Sequence, residues 1–213
     1  MATSPVFAPH TRKNKVQIHM LDFSWNAGLS ASQKRKNIAA LHEAYRGFFP
    51  EQKVLEISSK SSEDLGVKLS AFNLTKFVTS MGRAVPVQCV YQGSKVFAVG
   101  GPYTDLYTAT SRAAKGDDRL RQSGELRQFS FEGKEFPLKA GSAFYDWLYV
   151  NALMEHPELS EPLLGYDGFT DIEFNPNKGV ACQANAAALY VSLHRQGLLE
   201  QCRDFDSFLA LLK

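Results

Sequence analysis

The sequence predicts an α+β fold that is mainly helical, with short strands and one hairpin. Three observations carry this. Apolar residues recur at helical spacing in several separated stretches, the alternating strand-like runs are only five or six residues long, and a glycine-centred turn joins two such runs near residue 133.

In chain order, Met1 to Arg12 is polar and contains prolines. Residues 1–15 therefore read as a flexible N-terminal segment. Residues 16–213 read as a single domain whose N-terminal lobe runs to about residue 60. Val16-Gln-Ile-His-Met-Leu21 alternates as a strand does. Ser30 followed by Gln33 fits a capping box, Ile38, Leu41, Tyr45 and Phe48 continue at helical spacing, and Pro50 closes the segment. Val54 to Ser58 reads as a short strand, and residues 61–85 as irregular. Pro86 suits the first position of a helix reaching Phe97, because its missing N–H costs nothing there. Gly100-Gly101-Pro102 then breaks the chain. Thr110 to Arg121 reads as helical, and Leu126 to Phe136 as a hairpin turning at Gly133. Ser142 is placed to cap a helix through Met154, and Glu158 to Leu164 adds a short one. Residues 165–179 read as a long loop. Ala181 to Gln196 forms an alanine-rich helix stopped by Gly197, and Ser207 to Leu212 a last turn or two.

Composition narrows the function. The chain has 213 residues with 24 Lys+Arg against 22 Asp+Glu, so a strongly basic duplex-coating protein is disfavoured, while a local basic groove stays open. No apolar run approaches the ~18 residues of a membrane span, and the charged N-terminus lacks a secretory core. Cytoplasmic location is the expectation. Cys89, Cys182 and Cys202 show no CxxC, and His10, His19, His42, His156 and His194 show no HExxH, so no metal is expected. Neither a Walker A nor a GxGxxG pattern is present, and no cofactor is expected.

Four segments could carry chemistry. In Val87 to Phe97, helical spacing puts Gln88, Gln92 and Lys95 on one face with Tyr91 beside them. Such a stripe either meets solvent or lines a pocket, and Gly93 permits close approach of a ligand or another backbone. In Tyr166 to Pro176, Asp167, Asp171 and Glu173 crowd among aromatics, a setting that shifts carboxyl pKa values and suits acid–base work; an ordinary acidic surface loop fits equally. Gly100 to Tyr107, with Tyr103 and Asp105, is either a phosphate-holding loop or a structural turn. Ser59 and Lys60, followed by Ser70, Phe72 and Asn73, suit phosphate or ribose contacts, or a plain loop. Trp147, beside Asp146, is either core or an aromatic platform at a pocket mouth. Lys34-Arg35-Lys36 and Arg119-Leu-Arg121 become phosphate contacts only if they line one groove.

Several of these blocks resemble a known family. Val87-Gln-Cys-Val-Tyr-Gln-Gly-Ser-Lys95 resembles the signature helix V-E-H-A-[YF]-Q-A-x-K of the NADAR (YbiA-like) superfamily, and Leu69-Ser-Ala-Phe-Asn73 resembles its L-S-N-F-Y segment. Gly93 to Phe97, Gly101 to Tyr107, Phe144 to Tyr149 and Phe169 to Pro176 resemble more specifically its DarT-associated antitoxin branch. The likeness runs from about Trp25 to the C-terminus. It implies a YbiA-like fold and an N-glycosidase that removes ADP-ribose from guanine in DNA. The implied partners are ADP-ribosylated, single-stranded DNA, ADP-ribose and a cognate DarT-type toxin. The more distant YbiA-type members act on early riboflavin intermediates, which gives the runner-up activity. A non-catalytic antitoxin that binds ADP-ribose or modified DNA is a third reading.

One position departs from the pattern. Gln88 stands where the family helix carries Glu, and glutamine can neither take a proton nor carry charge. The departure fits an introduced change that holds substrate or stops turnover. It also fits a binding protein, or an enzyme using another acid among Asp167, Asp171 and Glu173. Cleaving a ribosyl N-glycoside passes through an oxocarbenium-like state, needing an anion beside the sugar and a donor beside the base. Position 88 suits the anion, and Asp171, then Asp167, the second carboxyl. Lys95 either pairs with phosphate or attacks the sugar as a Schiff-base nucleophile, for which its pKa must fall.

Overall fold

A computed structural model of the chain describes residues 1–11, 15–138, 141–175, 179 and 181–212; Arg12 and Pro176, which end two of the segments read above, lie outside them. Helix outweighs strand, 45% of residues to 22%, so the α+β reading holds.

The layers follow from which faces are apolar. Strands β1 (Ala2–Pro9), β2 (Val16–Phe23), β3 (Val54–Glu56) and β9 (Gly168–Thr170) form one sheet in the order β2-β1-β9-β3, antiparallel except for the β3–β9 pair. Its two faces are both covered. Val6 and Phe23 pack with Ile38, Leu41 and Tyr45 of α1 (Ala31–Phe48), while Phe7, Leu55 and Phe169 belong to the main core. That core centres on α6 (Ala143–Met154), buried from Ala143 through Leu153, and α8 (Gln183–Arg195), whose alanines let α6 and β1 approach closely. A second sheet, β6 (Lys95–Phe97), β7 (Leu126–Phe131) and β8 (Lys134–Pro137), stacks its phenylalanines on Phe144 and Trp147.

Local chemistry explains most boundaries. Ser30 caps α1 by accepting from the Gln33 N–H at 3.2 Å. The β7–β8 turn places Glu132 and Gly133 both at positive φ, 50° and 74°, the conformation of a tight hairpin turn. Ser142 does not cap α6 through its hydroxyl; the hydroxyl donates to Asp146 Oδ2 at 2.6 Å.

Several expectations need correction. The N-terminal segment is not frayed over Ala2–Pro9: it is a strand paired with β2 along its length, with Val6 fully buried. Residues 61–85 are not irregular but hold α2 (Asp64–Lys68) and a hairpin of β4 (Thr75–Val78) and β5 (Arg83–Pro86). The loop read over 165–179 contains β9. The helix read from Pro86 to Phe97 stops early: α3 is Val87–Gly93, and Lys95–Phe97 is strand β6. The helix read over Thr110–Arg121 is two, α4 (Ser111–Gly116) and α5 (Arg119–Gln122), broken at Asp117. Among the described residues the remaining α-helices are α7 (Pro157–Leu163) and α9 (Phe205–Leu211), and short 3-10 turns cover Thr79–Met81, Thr104–Thr108 and Leu199–Arg203.

Candidate active site

Helix α3 is held at its start by the 71–74 loop. The Gln88 N–H donates to the Ala71 carbonyl and the Val87 N–H to that of Leu74, both at 2.8 Å, so first-turn donors that a helix leaves free are satisfied by tertiary contact. The same loop thereby brings Ser70, Ala71 and Phe72 beside Gln88. At the other end Gly93 lies against Tyr107 and the Tyr103 carbonyl: a Cβ there would come within 2.5 Å of the Tyr107 ring. The close approach that glycine permits is thus to another part of the protein, and it fixes where β6 begins.

These contacts build one wall of a cavity of about 810 Å³, within the ~300–1,000 Å³ common for ligand sites. Of the residues singled out in the sequence, it is lined by Gln88, Lys95, Asp171, Glu173, Ser59, Lys60, Ser70, Phe72, Tyr91 and Gln92. Gln88 and Gln92 share a face of α3, one turn apart. Lys95 reaches the same space from β6, so the juxtaposition arises from a helix–strand junction and not from one helical stripe. The Ser70 hydroxyl and the Gln92 Oε1 are buried in this wall without a hydrogen-bond partner among the described residues.

Other predicted residues lie elsewhere. Asp167 accepts from the Lys53 N–H at 3.2 Å and lies 3.6 Å from Arg195. Asp105 pairs with Arg119 at 2.7 Å, and Arg119 also covers the Tyr103 ring, whose hydroxyl bonds Ser123. Asn73 donates to the Val67 carbonyl at 2.8 Å. Trp147 is core, packed against Phe136 with ring centroids 5.1 Å apart. None of these five lines the cavity.

The electrostatics are uneven. Lys95 has no carboxylate partner among the described residues, and its Nζ lies 4.7 Å from the centroid of the Tyr91 ring. Burial lowers its pKa to about 8. Burial first, and the charge of Glu56 second, push Asp171 up to about 7, against hydrogen bonds from the Glu173 N–H and Gln183. Glu173, on the same rim, pairs with Lys34 at 3.4 Å. Lys60, Arg112 and Lys115 add cationic groups to the lining, with Lys115 Nζ 5.5 Å from the Phe72 ring centroid. A half-buried amine near its titration point, a carboxyl near neutrality and three further cations can bind an anionic ligand and exchange protons with it.

Sequence reasoning missed Arg112, Lys115, Tyr145 and Gln183 in the lining. Gln183 spans the floor, accepting from the Ala71 N–H at 2.7 Å and donating to the Ile57 carbonyl at 2.6 Å. It sits at the start of an alanine-rich helix, where nothing in its neighbours marks it. Glu56, directly behind the site, left one signal: a lone acid inside the apolar run Val54-Leu-Glu-Ile57.

Among the described residues no group of three or more histidine, cysteine or acidic side chains is placed to hold a metal ion, and no helix is long and apolar enough to cross a membrane. No curated protein matches the sequence. The family described as the DarT1-associated NADAR antitoxin matches residues 2–213, essentially the whole length, including β1, which the residue-level likeness did not reach. The chain therefore belongs to the DarT1-associated NADAR antitoxin family.

Proposed function

We propose that the chain acts on guanine-linked ADP-ribose in DNA, as an N-glycosidase that reverses the product of a DarT-type transferase and that is attenuated by Gln88. The observation that carries this reading is the meeting of a half-buried amine, Lys95, which has no carboxylate partner among the described residues, with the carboxyl of Asp171 in one cavity rimmed by Lys60, Arg112 and Lys115. The cations suit a pyrophosphate, and Tyr91 and Phe72 give the sugar and base flat apolar walls.

The chemistry follows from the two titrating groups. Lys95 gives up a proton near pH 8 and its Nζ attacks the anomeric carbon joined to guanine. The carbon–nitrogen bond to the base breaks, and the departing base takes the proton of Asp171. As the sugar ring opens, its oxygen takes one of the two protons left on the nitrogen and a protonated imine forms. Water then adds to the imine carbon and its spare proton returns to Asp171; the sugar hydroxyl recloses the ring on that carbon and passes its proton to the nitrogen, which leaves as the free amine. In the family pattern, a glutamate at position 88 accepts the proton that Lys95 releases; the amide of Gln88 can only hydrogen-bond. That same amide favours a second reading, in which this chain holds modified DNA without turning it over.

The test compares substrates. A guanine-ADP-ribosylated single-stranded oligonucleotide and the pyrimidine glycosylamines of riboflavin synthesis are each incubated with the chain, and free ADP-ribose or free base is measured. ADP-ribose release from the oligonucleotide alone supports the reading; cleavage of the glycosylamines with the oligonucleotide untouched contradicts it.

A further inference from the structure

Glu56 is 1% exposed, yet nothing cationic pairs with it among the described residues. A carboxyl in that position is costly unless its oxygens are satisfied. They are: Oε2 accepts from the Thr170 hydroxyl at 2.6 Å and Oε1 from the Ile172 N–H at 2.9 Å. These two residues flank Asp171, so the carboxyl of β3 grips the chain on both sides of the carboxyl that lines the cavity. The grip extends outward. His42 Nε2 lies 2.8 Å from the same Thr170 hydroxyl, and since that hydroxyl donates to Glu56, the imidazole must donate to Thr170 from Nε2. Burial, reinforced by Arg46, keeps His42 neutral down to about pH 4.

We propose that Glu56 is the positioning residue for Asp171: from β3 it holds the chain on either side of that residue and so fixes the setting in which its carboxyl lines the cavity. Burial raises the Glu56 carboxyl too, its charge is the largest influence on Asp171 after burial, and two interacting carboxyls in an apolar setting do not both ionise readily. The other groups facing Asp171 are Glu173 on its own loop, Lys115 from α4, Tyr145 and Tyr149 from α6, and Cys182 before α8. Of these only Lys115 is a cation, and its effect on Asp171 is the weakest of the causes.

This inference rests on reading Asp171 as the acid of the cavity, but its test needs no substrate. The protein is labelled with ¹³C at aspartate carboxyls, the Asp171 signal is assigned by its loss in Asp171→Asn, and its titration is followed in the chain and in Glu56→Gln. The expected result is a midpoint near 7 in the chain that falls by about one unit or more once the like charge is gone. Thr170→Val is the second variant, in case Glu56→Gln does not fold. It removes one donor to Glu56, favours protonation of Glu56 and lowers the Asp171 midpoint in the same direction. An Asp171 midpoint unchanged in every variant that folds overturns the proposal, whatever the protein does to modified DNA.

Discussion

Lys95 Nζ lies 4.7 Å from the centroid of the Tyr91 ring, and no carboxylate among the described residues reaches it. Tyr91 is itself fixed between Phe129, stacked at 5.4 Å, and Tyr145, edge-on at 5.0 Å. The amine is thus steered by a ring face, which attracts a cation without neutralising it. An ion pair would have raised its pKa; burial beside a ring lowers it to about 8.

Trapping should follow that titration. With modified oligonucleotide and borohydride present, the Gln88→Glu form is expected to accumulate a reduced adduct on Lys95, in a yield that rises as pH passes through about 8. Peptide mass spectrometry locates the adduct. An active Gln88→Glu protein with no adduct at any pH would remove the covalent route.

The unpaired charge also costs stability. The native pKa of about 8 lies below the ordinary 10.5, so the folded state disfavours the charged form; the cost is full below the native value and shrinks as pH rises from 8 towards 10.5. Lys95→Met is therefore expected to stabilise the fold by about 1–3 kcal/mol near neutral pH. The gain should diminish at about pH 9.5, as read by urea unfolding at both pH values.

Gly93→Ala sets two effects against each other. Alanine gains roughly 1 kcal/mol of helix propensity over glycine. Its Cβ, however, would meet the Tyr107 ring at 2.5 Å and the Tyr103 carbonyl at 2.9 Å, and Tyr107 is anchored by its hydroxyl bond to Ser94 at 2.9 Å. The clash is expected to win, with a net loss of about 1–3 kcal/mol in thermal or urea unfolding.

Asp105 and Asp167 serve as controls. Each pairs with an arginine away from the cavity. Asp105→Asn and Asp167→Asn are expected to change stability by less than about 1 kcal/mol and to leave turnover by the Gln88→Glu form within about twofold. A large loss of turnover in either would move the site.

Legibility in the sequence tracked how local each determinant is. Helix α1 was readable because Ser30 and Gln33 announce its start, and the β7–β8 hairpin because Gly133 permits its turn. Strand β9 was not, because Gly168, Phe169 and Thr170 are buried on all sides and show no alternation. Strand β1 was hidden by Pro5 and Pro9 and by burial of both its faces. The over-long helix through Phe97 came from a stripe that fits helical spacing, while Val96 and Phe97 favour a strand just as well. For the cavity, the segments that announce themselves by motif were readable. Arg112 and Lys115 come from α4 and Gln183 from α8, and only the tertiary fold brings them to Lys95.

The most direct test concerns position 88. The rate of ADP-ribose release from a guanine-ADP-ribosylated single-stranded oligonucleotide should be measured for the chain and for Gln88→Glu under identical conditions. Restoring a proton acceptor beside Lys95 is expected to raise the rate by about 10²–10⁴-fold. Equal rates, or tight binding with no release by the Gln88→Glu protein, would contradict a hydrolytic site built around residues 88 and 95.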